Sequence, residues 1–472
     1  MRNALQNTAM FDKQTYISRR KALAEKMKSE GGIIVFLGNV DAPAQYSNNP
    51  YKWRQDSTWL YFFGIDEPRY AAVLDIDSGT ETIYADDADI DDVIWNGPTP
   101  SVAEYAATTG ISRTASYRDL EMVVGMAQCS GRKVHTIPPT RYYNKIRLSQ
   151  LSIWEPSVPL VKAIISMRLV KTPEEIAAID AACDLGREMH VRARKGIRPG
   201  RIEQEIVGEM ESVALSKGWG VSFSTILTQH GEVFHCHDHS AAIESGRLLV
   251  IDAGVESNCH YASDFTRTYP TGGKFTPRQK DIYDIVCDCN NAAFEMIRPG
   301  ISYREVHLAI SRLMLERLSC LGLVRGNVDD MLSQGVAGLF MPHGLGHNMG
   351  LDVHDMEDYG EDLVGYDDDQ KRSPLLGLGS LRMARRLVPG NVITDEPGIY
   401  FIPALIAKWK EEGKCSEFIN FSALESYRDF GGIRLEDDVL VTEDGARRLG
   451  SGRLPIESRE VELAMETDLA GN

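Results

Sequence analysis

The sequence predicts an α/β protein of two domains, a mixed α/β domain over residues 1–165 and a larger domain over 166–472 built from two pseudo-twofold αβ halves. Three observations lead there. The chain has 472 residues, too many for one ordinary core, which makes two domains the natural expectation. A helix-and-turn text recurs 100 residues apart, Ile197-Arg198-Pro199-Gly200 then Glu205-Ile206, and Ile297-Arg298-Pro299-Gly300 then Glu305-Val306. Two copies are too few for a solenoid, so they read as two related halves with a site where they meet. Finally, several strand-like segments of the second domain each carry an acid within apolar text.

Composition narrows the functional classes. The 43% hydrophobic and 25% charged residues are those of a soluble globular protein. The N-terminus MRNALQNTAMFDKQTY has no apolar signal-peptide core, and no stretch approaches the roughly 20 apolar residues of a membrane span. A cytoplasmic location is expected. The eight cysteines are scattered, with no C-x-x-C pattern, which reads as reduced thiols and argues against zinc on thiolates. A net charge of -17 argues against nucleic acid or an anionic membrane as partner, since both need a basic footprint.

In the first domain, Ile33 to Leu37 reads as a buried strand and Ala71 to Ile76 with Thr82 to Tyr84 as a hairpin around Ser78-Gly79. Between them PYKWRQDSTWLYFFGIDEP holds Trp53, Trp59, Tyr61, Phe62 and Phe63, a density typical of a core or an interface. The second domain opens at Thr172-Pro173-Glu174-Glu175, a capping box with proline at the first helical position, and the device returns at Thr276-Pro277-Arg278-Gln279. Leu248 to Pro270, LLVIDAGVESNCHYASDFTRTYP, reads as a hairpin with its turn at Glu256-Ser257-Asn258. A turn centred on Asn258 sets Asp252 opposite Asp264 with Cβ atoms about 4.5–5.5 Å apart. Two such carboxylates repel, and cations held by oxygen ligands would relieve them. A one-residue slip in register would instead send one acid to solvent.

Met341 to Asp355, MPHGLGHNMGLDVHD, gathers His343, His347 and His354 among glycines that rule out a regular helix and leave backbone close to whatever it binds. NVITDEPGIY places Glu396 after an apolar run, and GIRLEDDVLVT places Glu436 among alternating apolar residues beside Asp437 and Asp438. Parity alone does not say which of those three acids points inward. Residues 357–386 and 402–428 read as surface insertions, and the acidic tail after Arg453 as frayed.

Taken together, VIDAG, SDFTRT, HGLGH, DEPGIY and IRLEDD resemble the metal-binding signature of the pita-bread metallopeptidases, and more narrowly the proline-specific branch of aminopeptidase P and prolidase. RQDSTWLYFFGIDEP is similar to the N-terminal domain of aminopeptidase P. The resemblance implies a pita-bread (creatinase/aminopeptidase) catalytic domain and two divalent metal ions per subunit, Mn2+ before others. Asp252, Asp264, His347, Glu396 and Glu436 would hold them. By that resemblance Asp252 and Glu436 bridge the ions, Asp264 completes one site and His347 with Glu396 the other. Four carboxylates and one imidazole are hard ligands suited to manganese. Glu396 would also shuttle a proton from an activated water to the leaving proline nitrogen. His235 and His343 would line the proline pocket, with His343 also in the catalytic set. His354 would polarise the carbonyl, with Arg434 supporting the oxyanion.

The implied activity is hydrolysis between an N-terminal residue and a following proline, on proline-containing peptides, by a homo-dimer or homo-tetramer. The nearest alternative is an Xaa-Pro dipeptidase, separated by whether the pocket ends in a group that grips the dipeptide carboxylate. A metal-free creatinase-like hydrolase would not need the five ligands, and a non-catalytic binding protein of this scaffold would typically have lost them.

Overall fold

The computed structural model describes residues 10–470 and divides into two compact units, split between Met167 and Arg168. The first is organised on a mixed five-stranded sheet of β1 (Ile33–Leu37), β2 (Ala71–Asp75), β3 (Thr80–Tyr84), β4 (Thr114–Ala115) and β5 (Val134–His135), in the order β4-β3-β2-β1-β5. The anticipated hairpin is β2 and β3, antiparallel, with Ala71 opposite Tyr84. The aromatic segment is core: Asp56 caps a short helix, Ser57–Phe63, whose Trp59, Leu60, Phe62 and Phe63 are fully buried. Gly64 ends it at φ +63, where a side chain would strike Tyr16.

In the second unit both capping boxes form. Thr172 accepts from the Glu175 N–H and opens helix Pro173–Gly196, and Thr276 does the same with Gln279 for helix Pro277–Met296. Each long helix turns through its Arg-Pro-Gly text into a second, Glu203–Ser216 and Tyr303–Cys320. The helices cover strands β6 (Gly220–Val221), β7 (Ile226–Thr228), β8 (Leu248–Ala253), β9 (Val255–Glu256), β10 (Phe265–Pro270), β11 (Val392–Asp395), β12 (Gly398–Tyr400), β13 (Gly432–Arg434), β14 (Asp437–Val441) and β15 (Ala446–Arg448). Two three-stranded sheets, β10-β8-β7 and β11-β14-β15, contain one half's strands each, and a single bridge between Thr266 and Glu436 joins them. The repeat therefore does correspond to two helix-pair-and-sheet halves.

Three expectations need correction. Asp252 lies opposite Thr266, not Asp264, because the β8–β10 hairpin turns about Cys259 rather than Asn258. His260 takes up the reversal at φ +63. The shift is two residues, which preserves the face, so the acids remain diagonal neighbours on one side of the hairpin. Asp264 falls opposite Gly254, where any Cβ would meet the Ser263 carbonyl at 1.7 Å. The tail is not frayed: Ser458–Ala470 is a helix that buries Val461 and Met465 and pairs Asp468 with Arg194 at 2.7 Å. Nor are the two insertions surface ornaments. Val364, Leu381, Met383 and Ala384 from the first, and Trp409, Ile419 and Leu424 from the second, are buried in the unit's core. Their sequence is polar overall, and the apolar residues are too irregularly spaced to announce burial.

Candidate active site

One cavity of about 700 Å³ takes in all nine residues singled out in the sequence: His235, Asp252, Asp264, His343, His347, His354, Glu396, Arg434 and Glu436. They come from different places. Asp252 is on β8 and Asp264 just ahead of β10, Glu396 follows β11, and Glu436 lies between β13 and β14. The histidines stand on irregular backbone. The HGLGH glycines serve packing rather than ligand approach, since a Cβ on Gly346 would lie 2.1 Å from the Thr394 carbonyl and one on Gly344 would lie 2.6 Å from Leu381 Cα.

Asp264, His347 and Glu436 form a compact cluster whose donor atoms all lie within 4.8 Å of one another. His347 Nε2 is 3.5 Å from Asp264 Oδ2 and 3.9 Å from Glu396 Oε1. His347 Nδ1–H donates to the Asn348 carbonyl at 3.0 Å, which fixes the tautomer and leaves Nε2 as a lone-pair donor. Asp264 therefore stands beside His347, and with Glu436 the two present donor atoms close enough to hold one cation.

Electrostatics make this cluster unstable on its own. Burial, then the neighbouring Asp252, Asp438 and Glu396 charges, push the Asp264 carboxyl well above its usual range. Burial with Asp264, Glu396 and Asp252 does the same to Glu436, although the Thr266 hydroxyl donates to it at 2.6 Å. Glu396 is raised by burial against the opposing pull of His347 and Arg434. Asp252 Oδ1 and Asp264 Oδ1 are buried with no hydrogen-bond partner among the described residues. Unsatisfied acceptors, crowded carboxylates and a preset imidazole fit divalent cations with oxygen-rich coordination.

The remaining histidines are held tightly. His343 Nδ1–H donates to the Gly344 carbonyl at 2.7 Å, and Nε2 accepts from the Tyr400 hydroxyl at 2.8 Å. Burial first, and Arg434 next, push this ring down to about 3, so it is a neutral wall of the cavity with both nitrogens engaged. His354 stacks on His347 with ring centroids 3.9 Å apart, and its Nδ1 contacts Glu357. Burial, then His347, lower it to about 4. A neutral ring so bonded presents Nε2 as an acceptor. Donating to a carbonyl oxygen needs the second proton, whose charge Glu357 balances. Arg434 has every nitrogen engaged, NH2 by Asp252 Oδ2 at 2.5 Å, NH1 by the Tyr400 hydroxyl at 2.9 Å and Nε by Thr266 Oγ1 at 3.2 Å. It positions Asp252, and each terminal nitrogen keeps a second N–H beyond the contact named.

The three-acid ambiguity is resolved by partners. Asp437 turns away to Arg267, Arg448 and Arg453, while Asp438 accepts from the Asp264 N–H at 2.9 Å and the Cys183 thiol at 3.3 Å. Only Glu436 enters the cavity. Sequence reading passed over Tyr400, Thr266 and Glu357, which touch these residues, and Glu361, Arg372 and Arg382 in the cavity wall. Tyr400 and Thr266 stand inside the motifs DEPGIY and SDFTRT. The other four belong to the segment read as an insertion, and no pattern marks them.

Comparison with known proteins agrees with this geometry. Residues 177–443 match metallopeptidase family M24, and residues 16–135 match the aminopeptidase P N-terminal domain. The Xaa-Pro aminopeptidase of Escherichia coli (strain K12) is 30% identical over 457 residues, covering 93% of this chain and 95% of the relative. The Xaa-Pro dipeptidase of Homo sapiens is 29% identical over 470 residues, covering 94% and 92%. Among solved structures, aminopeptidase P from E. coli with the inhibitor Pro-Leu superimposes with TM-score 0.79 at 29% identity, covering 98% of this chain and 99% of that one. Pseudomonas aeruginosa aminopeptidase PepP gives TM-score 0.80 at 27% identity, with 98% and 99% covered. With the match extending over more than half its length and the ligand cluster inside the matched region, the chain belongs to metallopeptidase family M24.

Proposed function

We propose that this chain is an Xaa-Pro metallo-aminopeptidase that releases an N-terminal residue from a following proline. The observation that carries the reading is the buried cluster of Asp264, His347 and Glu436, opening into a cavity that also holds Asp252 and Glu396. The likeness to the E. coli enzyme supports the substrate class. In this reading Asp252, Asp264, His347, Glu396 and Glu436 would hold two Mn2+ ions. Bound divalent ions supply Lewis-acid polarisation of a carbonyl and lower the pKa of water.

The chain's own groups do the rest. Glu396, with its raised carboxyl, takes a proton from the attacking water as the new C–O bond forms. It returns that proton to the proline nitrogen as the C–N bond breaks, so proline leaves as a neutral amine. His343, locked by Gly344 and Tyr400, and His235 form the wall against the proline ring. His354, backed by Glu357, donates to the carbonyl oxygen when doubly protonated. Eight free cysteines fit the cytoplasm. Helix Ile90–Asn96 buries none of its residues and leaves Ile90 72% and Trp95 82% exposed, which suits a homo-dimer or homo-tetramer.

A second reading, an Xaa-Pro dipeptidase, is favoured by one feature. Arg372 and Arg382 line the cavity from the 357–386 segment, and Arg382 in particular is a candidate grip for a dipeptide carboxylate. Hydrolysis of a matched Xaa-Pro dipeptide and Xaa-Pro-Yaa tripeptide by the Mn2+-loaded protein separates the two. Tripeptide cleavage is expected, cleavage of the dipeptide alone would mean a dipeptidase, and cleavage of neither by protein that binds Mn2+ would end the proline assignment.

A further inference from the structure

The helix-and-turn repeat places two buried polar side chains in matching positions. His190 and Asn290 stand 100 residues apart, ahead of Ile197-Arg198-Pro199-Gly200 and Ile297-Arg298-Pro299-Gly300 respectively. Each is on the long helix of its half, each is 0% exposed, and neither lines the cavity. In a helix interior so deeply buried, a polar side chain is retained only with a hydrogen-bond partner.

The partners lie next to the ligands. His190 Nε2–H donates to the Ala253 carbonyl at 2.9 Å, and Ala253 follows Asp252 directly. The same helix approaches the other strand of that hairpin, since a Cβ on Gly186 would meet Ser263 Oγ at 2.8 Å and the Phe265 ring at 3.3 Å, either side of Asp264. In the second half, Asn290 Nδ2 donates to the Asp395 carbonyl at 3.0 Å and reaches the Leu435 carbonyl at 3.5 Å. Those are the peptide groups immediately before Glu396 and Glu436. Arg453 NH2 donates to Asn290 Oδ1 at 2.6 Å, which orients the amide with its nitrogen toward both carbonyls.

We propose that His190 and Asn290 are pseudo-twofold-related positioning residues, each bracing from behind the strand segments that carry one half's metal-ligating carboxylates. Asn290 ties both glutamate segments with one amide and sets the separation of Glu396 and Glu436. His190 fixes the exit of Asp252, while close packing at Gly186 seats Asp264. Four mutually repelling carboxylates would otherwise relax apart in the metal-free protein, and the braces keep them spaced for cations. This inference rests on the ligand set proposed above.

The test is calorimetric titration of Mn2+ into the metal-free full chain, wild type against Asn290→Leu, with His190→Leu as the companion. Loss of such outer contacts typically weakens metal affinity by about 10–100-fold, and that loss is expected for each variant. At saturating Mn2+ a lower kcat with unchanged peptide KM is also expected, because neither residue faces the cavity. His190→Asn, which restores an N–H donor of the kind the other half uses, is expected to recover part of the affinity. A folded Asn290→Leu protein that binds Mn2+ within twofold of wild type overturns the proposal. Should that variant not fold, the near-isosteric Asn290→Asp, which keeps the Arg453 contact and removes the donor, is read by the same criterion. Failure of both to fold would assign Asn290 to the fold and overturn it equally. If wild type itself binds no Mn2+, the ligand set falls first and the braces with it.

Discussion

Asp355 is a sharp test of how the His354 loop is held. It lies in a buried ion cluster in which Oδ1 accepts from Arg168 NH2 at 2.6 Å and Oδ2 from Lys171 Nζ at 3.0 Å, with side-chain exposures of 3%, 1% and 1% for Arg168, Lys171 and Asp355. Asp355→Asn conserves shape and removes one charge from beside two buried cations, whose acidic neighbours include the 41% exposed carboxylate of Asp352. Breaking a buried pair this way costs about 3–5 kcal/mol. At about 2 °C per kcal/mol for a domain of this size, the melting temperature should fall by roughly 6–10 °C. Burial works to raise the Asp355 carboxyl, but Arg168 and Lys171 together outweigh it and hold the group below its usual range. A depressed folded pKa gives stability that is present above the unfolded value and lost as pH falls through the folded one. The gap between wild type and variant should thus be constant from pH 8 to about pH 5 and narrow below the unfolded carboxyl pKa of about 3.9. Thermal melts by circular dichroism across that range, at fixed Mn2+, check both statements. A shift under about 2 °C at pH 7 would show that this cluster is not what pins the loop.

Other consequences follow from the same contacts. Thr266→Val removes the hydroxyl that donates to Glu436 at 2.6 Å, and Mn2+ affinity by titration should weaken by about 10–100-fold without loss of fold. Asp264, Glu396 and Glu436 have raised pKa values in the metal-free protein, so their contribution to stability is present at low pH and lost as pH rises through the folded values. Cations relieve that penalty, so the melting-temperature gain on adding Mn2+, worth about 4 kcal/mol at a thousandfold excess over Kd, should be larger at pH 8 than at pH 6. An equal or larger gain at pH 6 contradicts it. If the dipeptidase reading holds, Arg382→Ala should raise the dipeptide KM by about 10–100-fold through loss of one charged hydrogen bond, leaving kcat little changed. An unchanged KM removes Arg382 from substrate recognition.

Much of the candidate site was legible before any coordinates. Asp252, Glu396 and Glu436 sit in or beside apolar strand text, and the three histidines sit among glycines. The capping boxes at Thr172 and Thr276 marked both long helices, because a cap is a local contact that three or four residues suffice to specify. Register was less accessible. Nothing within LLVIDAGVESNCHYASDFTRTYP says that His260 adopts a left-handed conformation and moves the turn centre to Cys259. The tail shows the same limit, since Ser458–Ala470 is acidic text whose helix depends on burying Val461 and Met465.

The sequence by itself determined the fold class and the twofold repeat, since periodicity and caps are properties of short segments, and its family resemblance picked out the residues that meet in the cavity. Tertiary structure alone decided which groups each of them faces. Which of Glu436, Asp437 and Asp438 faces the cavity was set by arginines on other elements, Arg267, Arg448 and Arg453, that claim Asp437, and by Asp264 and Cys183, which hold Asp438. Arg434, which the resemblance placed beside the oxyanion, was set by packing against Asp252, Tyr400 and Thr266. Such assignments depend on partners up to 255 residues away in the chain, as between Cys183 and Asp438, and buried charge is settled by whichever groups packing brings within hydrogen-bond reach.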